Sequence, residues 1–336
     1  MMSFVKFSET DPLRWGVLAT GQIAQSFAED LALLPDHTLA AVGSRDPATA
    51  RAFADEHGTD AHGTARAHGS YAALAGDPDV DVVYVATPHS RHVEDVMTCF
   101  EAGKAVLCEK ALAMNADDAA ALVREARDRD LFFAEAMWMR TNPAVREARR
   151  LVRAGACGRV GMLEAQLGFV APTHKLRLWD PAIGAGALLD IGIYPLTLAH
   201  LLLGEPRTVT AAGTLSDRGI DLAGGAVLTY DDGAVATLGW SQVARTHDRA
   251  TISGDAGRIE LPARFHHPDE LVLATDASVD TIVRPRTGRG YTHEIEEVGR
   301  CLRAGLIESD LLPLDETVAI LRQVDRILAQ IGGDTA

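Results

Sequence analysis

Between Trp15 and Ala136, short apolar runs of strand length alternate with stretches whose apolar residues recur every three or four positions. The runs are residues 15–19, 38–43, 80–86, 105–108 and 131–136. Ile23, Phe27, Leu31 and Leu34 form the first helical series, which Pro35 ends. A strand that is apolar along its whole length is buried on both faces, and strands separated by helices run parallel. The pattern therefore predicts a doubly wound parallel sheet. Such sheets bind ligands outside the carboxyl ends of their strands, so the residues just after each run carry the functional information.

The first run leads into Ala19-Thr20-Gly21-Gln22-Ile23-Ala24. Ala19-x-Gly21-x-x-Ala24 is an imperfect dinucleotide fingerprint. Gly21 lets the backbone approach a pyrophosphate, Ala24 permits close helix–strand packing, and the first N–H groups of the helix favour an anion. With alanine at the first glycine position, φ of residue 19 is expected to stay negative. The second run ends in Ser44-Arg45-Asp46-Pro47. Where an acid would hold the ribose hydroxyls of NAD, a hydroxyl and a guanidinium stand instead, which suits a 2′-phosphate. Asp46 before Pro47 reads as a helix cap. The third run ends in Thr87-Pro88-His89-Ser90-Arg91-His92. The His89/His92 spacing would suit a metal on a helix, but no third ligand stands nearby, and no metal is expected. The fourth is followed by Glu109-Lys110-Ala111, whose simplest reading is a pair that solvates a strand end.

After Trp138-Met139-Arg140 the grammar changes. Leu163, Ala165, Leu167 and Phe169 alternate with Glu164, Gln166 and Gly168, the mark of a strand with one wet face. Residues 208–212, 226–230, 234–240, 250–253 and 258–261 are further strand candidates, with turns at Asp231-Asp232-Gly233 and Asp255-Ala256-Gly257. The fold class expected is α/β: a doubly wound parallel domain over residues 1–136, then an α+β domain over 137–336 with a large, mostly antiparallel open sheet. Trp240 is expected to contribute to an apolar contact face on that sheet. An apolar stretch from Gly186 to Leu203 contains Asp190 and Tyr194, one helical turn apart and on one face. Pro195 predicts an irregularity there.

A chain of 336 residues with 47% hydrophobic content suits two packed domains. Its net charge of −15 argues against a nucleic-acid partner. The longest apolar runs are expected to be far too short to span a membrane, and the first ten residues lack a signal-peptide core. Cys99, Cys108, Cys157 and Cys301 are scattered, as in a reduced cytoplasmic protein.

Together, Ala19-x-Gly21-x-x-Ala24, Thr87-Pro88 with His92, Glu109-Lys110 and Asp190-x-Gly192-x-Tyr194 resemble the Gfo/Idh/MocA family of pyridine-nucleotide oxidoreductases. Glu135-Ala-Met-Trp138-Met-Arg140 and the tyrosine of the last motif resemble its branch of dimeric dihydrodiol dehydrogenases, NADP-linked xylose dehydrogenases and glucose–fructose oxidoreductases. The resemblance implies a Rossmann domain, a cofactor that is NADP(H) by preference with NAD(H) possible, and a polyhydroxylated small-molecule substrate. It also implies a homodimer or higher oligomer formed through the C-terminal sheet. Cofactor contacts are implied for Ala19, Gly21, Gln22, Ile23, Ala24, Ser44, Arg45, Thr87, Pro88, His89, His92, Glu109, Lys110 and Arg177. Substrate contacts are implied for Trp138, Arg140, Phe169, Asp190 and Tyr291. Lys110, Tyr194 and Asp190 are the implied catalytic group, in a cleft between the domains. Ala111 replaces the usual proline after the lysine.

The chemistry is consistent with that assignment. Oxidising a carbinol requires a base for the hydroxyl proton while hydride leaves the carbon. A free tyrosine is a poor base at neutral pH, and a lysine cation beside it favours the phenolate. The alternative is a non-catalytic NADP(H)-sensing regulator of the same fold, which needs only the phosphate and ribose contacts.

Overall fold

The computed structural model describes residues 12–60 and 63–333, so the N-terminal stretch read above lies outside the described residues. Its first part runs β1 (Leu13–Leu18), α1 (Gln22–Leu31), β2 (His37–Gly43), α2 (Pro47–His57), a two-strand hairpin β3 (Thr59–Asp60) and β4 (Gly63–Thr64), β5 (Arg66–His68), α3 (Tyr71–Ala75), β6 (Val82–Val85), α4 (His92–Glu101), β7 (Ala105–Glu109), α5 (Ala116–Asp128) and β8 (Phe133–Ala136). The six-stranded sheet has the order β5-β2-β1-β6-β7-β8, with every pairing parallel. All residues of β6, β7 and β8 are buried, including the acids Glu109 and Glu135 within β7 and β8. The strand order reverses between β1 and β6, which opens a crevice at their carboxyl ends.

The middle of the chain forms α6 (Pro143–Arg153), β9 (Val160–Gly168), a π-helical turn Leu188–Gly192, α7 (Ile193–Leu203), β10 (Thr208–Leu215), β11 (Asp221–Thr229), β12 (Val235–Ser241), β13 (Ala250–Gly254), β14 (Gly257–Leu261), β15 (Glu270–Thr275) and β16 (Val279–Val283). Its eight-stranded sheet has the order β10-β11-β12-β9-β13-β14-β15-β16 and is antiparallel except where β12 runs parallel to β9. The last two strands, set around Asp276-Ala277-Ser278, were not among those expected. The segment Pro181–Leu203 corrects the expectation that no apolar stretch reaches membrane-spanning length. It has 23 residues at mean hydropathy 1.6, yet 89% of its apolar window is buried in the structure, so it forms a core helix.

The chain ends with α8 (Thr292–Arg303) and α9 (Leu314–Gly332). Among the described residues the chain divides into two compact units. One comprises residues up to Ala113, Asp117–Trp138 and Thr287–Thr317; the other contains Met114–Ala116, Met139–Arg286 and the residues from Val318 on. A stretch late in the sequence, with Tyr291 and α8, therefore belongs to the parallel-sheet unit.

Candidate active site

In the parallel-sheet unit, each strand end delivers its expected residues to the carboxyl edge. β1 hands over to Ala19 and Gly21, β2 to Ser44 and Arg45, β6 to Thr87, and β7 to Glu109 and Lys110. Gly21 is the N-cap of α1 with extended backbone, and no side chain caps the helix. A Cβ on Gly21 would meet nothing within 4 Å, so the backbone at the start of α1 borders open space. That arrangement fits a dinucleotide pyrophosphate. Ala19 corrects the expectation of negative φ. Its φ is +85°, and its N–H donates to Gly43 O at 2.9 Å. The turn imposes the left-handed conformation whatever the residue, and alanine bears a cost of roughly 1–2 kcal/mol there.

Arg45 is exposed, and its charge lies close enough to the Tyr71 hydroxyl to act on it. Ser44 is buried, and its hydroxyl accepts the Asp46 N–H at 3.2 Å. Asp46 caps α2, taking the Ala48 N–H at 3.0 Å. Pro88 is exposed at the start of the turn after Thr87. His89 Nε2 lies 3.2 Å from Lys110 O. His92 is fully buried, with Nε2 at 2.8 Å from Thr87 O and Nδ1 at 3.0 Å from Ala111 O and 3.3 Å from Leu112 O. Its ring ties the β6 loop to the β7 loop from inside. Any part it takes in cofactor binding therefore runs through the placement of Thr87 and Lys110. The Lys110–Ala111 peptide is cis.

Lys110 is half-exposed, whereas residues 105–109 and 111–113 around it are all buried. Glu109 accepts the Lys110 N–H at 3.2 Å and the hydroxyl hydrogen of Tyr84. Burial leaves its carboxyl raised above the ordinary carboxylate range, and the Tyr84 hydroxyl and the Lys110 charge offset only part of that. Trp138 and Tyr291 stack, with centroids 4.9 Å apart and planes 13° from parallel. Asp30 on α1 fixes Tyr291 there, accepting the N–H groups of Arg289, Gly290 and Tyr291 at 2.8 to 3.0 Å. Gly288 is obligatory beside it, because its φ is +57° and a Cβ would lie 2.3 Å from Asp30 Oδ1.

The second unit carries the other residues. Asp190 lies in the π-helical turn and Tyr194 at the start of α7. The irregularity falls just before Pro195, which has no N–H to offer Ile191 O, and Ile193 N–H instead reaches Leu188 O, five residues back. Arg177 brings Nη1 to 3.0 Å from Asp190 Oδ1. Tyr194 is buried against the His266 ring at 4.6 Å, and His266 meets His267 at 4.2 Å. Burial holds His267 down at about 4. Phe169, half-buried just after β9, donates its N–H to Ser241 O at 2.9 Å, and Arg140 is buried.

Sequence reasoning missed two residues of this unit. His266 sits in Phe265-His266-His267-Pro268 with no periodic signal to mark it. Asp221 anchors the Asp190 segment by accepting the Leu188 N–H at 2.7 Å and the Trp240 indole N–H at 3.2 Å. Trp240 itself corrects an expectation. It is 2% exposed and faces the helix, where a Cβ on Gly192 or Gly224 would come within 2.9 or 2.5 Å of its ring. It therefore belongs to the core and contributes nothing to an outer contact face.

Comparison with known proteins matches this architecture on both halves. Residues 13–136 match the oxidoreductase family model with an NAD-binding Rossmann fold, and residues 145–260 match the GFO/IDH/MocA C-terminal domain. The chain belongs to the Gfo/Idh/MocA family. As a member it is an NAD(P)-dependent dehydrogenase acting on CH–OH groups. It is 35% identical over 332 residues to the trans-1,2-dihydrobenzene-1,2-diol dehydrogenase of Bos taurus, covering 95% of this chain and 97% of that one. The Homo sapiens enzyme of the same name is 34% identical over 330 residues, covering 95% and 97%. Among solved structures, a 3-ketoreductase from Actinomadura kijaniata in complex with NADP and TDP-benzene superimposes with TM-score 0.84 at 25% identity, covering 94% of this chain and 97% of that one. An aldose-aldose oxidoreductase from Caulobacter crescentus has the same fold, with TM-score 0.87 at 24% identity and coverage of 96% and 98%.

Proposed function

We propose that this dehydrogenase uses NADP(H) and acts on a sugar or a cyclic vicinal diol, with Lys110 and Tyr194 handling the hydroxyl proton. The observation that carries the reading is Lys110, the half-exposed residue of an otherwise buried segment at the crevice edge of β7. A lysine held there by Glu109 and His89 has a use beyond solvating a strand end. Bound NADP(H) supplies the hydride acceptor or donor. Tyr194 takes the carbinol proton on oxidation and returns it on reduction, and the Lys110 cation favours the phenolate and the developing alkoxide. Asp190, tied to Arg177, orients substrate hydroxyls. The similarity to dihydrobenzene-diol dehydrogenases favours a cyclic diol as the substrate class.

Arg45 is proposed to pair the cofactor's 2′-phosphate, since it is exposed just beyond β2. Arg45→Ala should weaken NADPH binding about tenfold to a hundredfold, as for a lost charge-assisted hydrogen bond, and leave NADH nearly unchanged. Equal losses in a fluorescence titration would remove Arg45 from this role. Dimerisation is proposed through the outer face of the eight-stranded sheet, where Val227 and Met162 are exposed at 44% and 39%. Light scattering should give twice the 35.9 kDa chain mass and fall to one chain mass in Val227→Glu.

The decisive experiment is a screen of aldoses, polyols and cyclic diols read by NADPH absorbance. Turnover with a cyclic diol or a sugar is expected, faster with NADP+ than with NAD+. Cofactor binding without turnover on any of them would overturn the reading.

A further inference from the structure

Behind Lys110 lies a layer of buried acids that the proposed proton transfer does not use. Tyr84 on β6 donates its hydroxyl hydrogen to Glu109 on β7, and its ring stacks on Phe27 with centroids 3.7 Å apart. Glu135 on β8 accepts the Leu112 N–H at 3.0 Å and the Thr317 hydroxyl at 2.9 Å. Asp30 on α1 takes the three N–H groups before α8. Glu294, in the first turn of α8, is fully buried, and neither of its oxygens has a hydrogen-bond partner among the described residues.

The charges around Glu109 decide which of these acids is ionised. It faces Tyr84 from β6, Glu135 from β8, Glu294 from α8, Cys108 on its own strand and Lys110 just after that strand. Burial, then the carboxyls of Glu109, Asp30 and Glu135, push Glu294 well above the usual carboxylate range, so Glu294 holds its proton. Burial and Glu109 also push Tyr84 well above an ordinary phenol, so Tyr84 remains a donor. Glu109 is the acid supplied with both a donated hydroxyl and a neighbouring cation.

We propose that Tyr84 is a positioning residue for the Lys110 chemistry: its hydroxyl fixes one oxygen of Glu109 and so keeps that carboxylate ionised beside Lys110. The inference rests on the reading of Lys110 given above. No atom of Tyr84 needs to reach substrate or cofactor. Its effect passes through Glu109, whose negative charge in turn favours the Lys110 ammonium.

Tyr84→Phe keeps the ring stacked on Phe27 and removes only the donor. In full burial Glu109 then retains its proton to higher pH, and Lys110 loses its counter-charge over that range. The acidic limb of kcat/KM should move up by about one pH unit, the shift that a tenfold change in proton affinity gives. The test uses the full chain and has two arms. Infrared titration of the 13C-labelled carboxyl band that Glu109→Gln removes should show the same upward shift in Tyr84→Phe, with no substrate present. Kinetics with NADP+ and trans-cyclohexane-1,2-diol should show it in the acidic limb, and Tyr84→Phe should add nothing in the Glu109→Gln background. An unmoved infrared midpoint overturns the proposal. So does a moved midpoint with an unmoved kinetic limb, which would leave a pair without influence on Lys110. If the wild type turns over no diol or sugar, the functional reading fails, and the infrared arm still decides whether Tyr84 sets the state of Glu109. If Tyr84→Phe does not fold, Glu109→Gln serves alone: the acidic limb should flatten, and its persistence overturns the proposal.

Discussion

The two units hold buried polar groups in opposite ways. In the parallel-sheet unit, Glu109, Glu135, Asp30 and His92 are spread over several strand and helix ends, and backbone groups partner each of them. A parallel sheet supplies such partners for nothing, because every strand end leaves N–H and C=O groups that the ladder does not use. In the other unit, Asp190 and Tyr194 stand on a segment buried on all sides, so it has no polar face to turn towards water. That segment is held by one distant carboxyl, Asp221, and by the fit of Trp240 against two glycines. The first arrangement distributes its dependence over many residues. The second concentrates it.

The largest expected effects test whether the two arrangements serve one reaction. Tyr194→Phe and Lys110→Met should each lower kcat/KM by about 10²–10⁴ while NADPH binding persists. Because both are proposed to act on one proton, the double variant should lose far less than the product of the single losses. Multiplicative losses would show independent roles, and wild-type turnover in Tyr194→Phe would remove the tyrosine from the reaction.

A smaller effect should separate the two buried acids. Asp221→Ala removes the sole described side-chain acceptor for the Leu188 N–H and strands the Trp240 indole, so it should cost about 2–4 kcal/mol in urea unfolding. Asp221→Asn keeps an acceptor oxygen and should cost less. Glu294→Gln should not destabilise at all, because Gln matches the neutral acid in shape. Glu294 has a folded-state pKa raised above its ordinary 4.5, so its contribution to stability is complete below that pH and is lost as pH rises towards the folded value. The thermal midpoint of Glu294→Gln should therefore exceed that of wild type by a margin that grows as pH rises from 4.5. A constant margin, or a variant that melts lower at neutral pH, would show Glu294 to be ionised and paired in the folded chain.

Much of the parallel-sheet unit was legible because its signals are local. Apolar runs announced β1, β2, β6, β7 and β8, Asp46-Pro47 announced the start of α2, and the residues after each run reached the crevice edge as expected. Ala19 was misread for a local reason too: propensity argues against positive φ in alanine, but the turn between β1 and α1 overrides it. The antiparallel sheet was legible in its alternating strands and in the hairpins at Gly233 and Gly257. Alternation does not say which face is outward, so Trp240 was placed on the wrong side.

What the sequence determined by itself is the main strands of the parallel sheet, most strands of the antiparallel one, the two kinds of sheet, and the residue types at each strand end, since hydrophobic period and turn chemistry act over a few residues. What only the tertiary structure decided are pairings across long separations. Asp30 meets the backbone of Tyr291 from 261 positions away, Asp221 meets Leu188 from 33, and Tyr84 meets Glu109 from 25. In each case the reason is burial. A polar group removed from water must take whatever partner the packed chain brings to it, and the periodicity of a single segment carries no record of that partner.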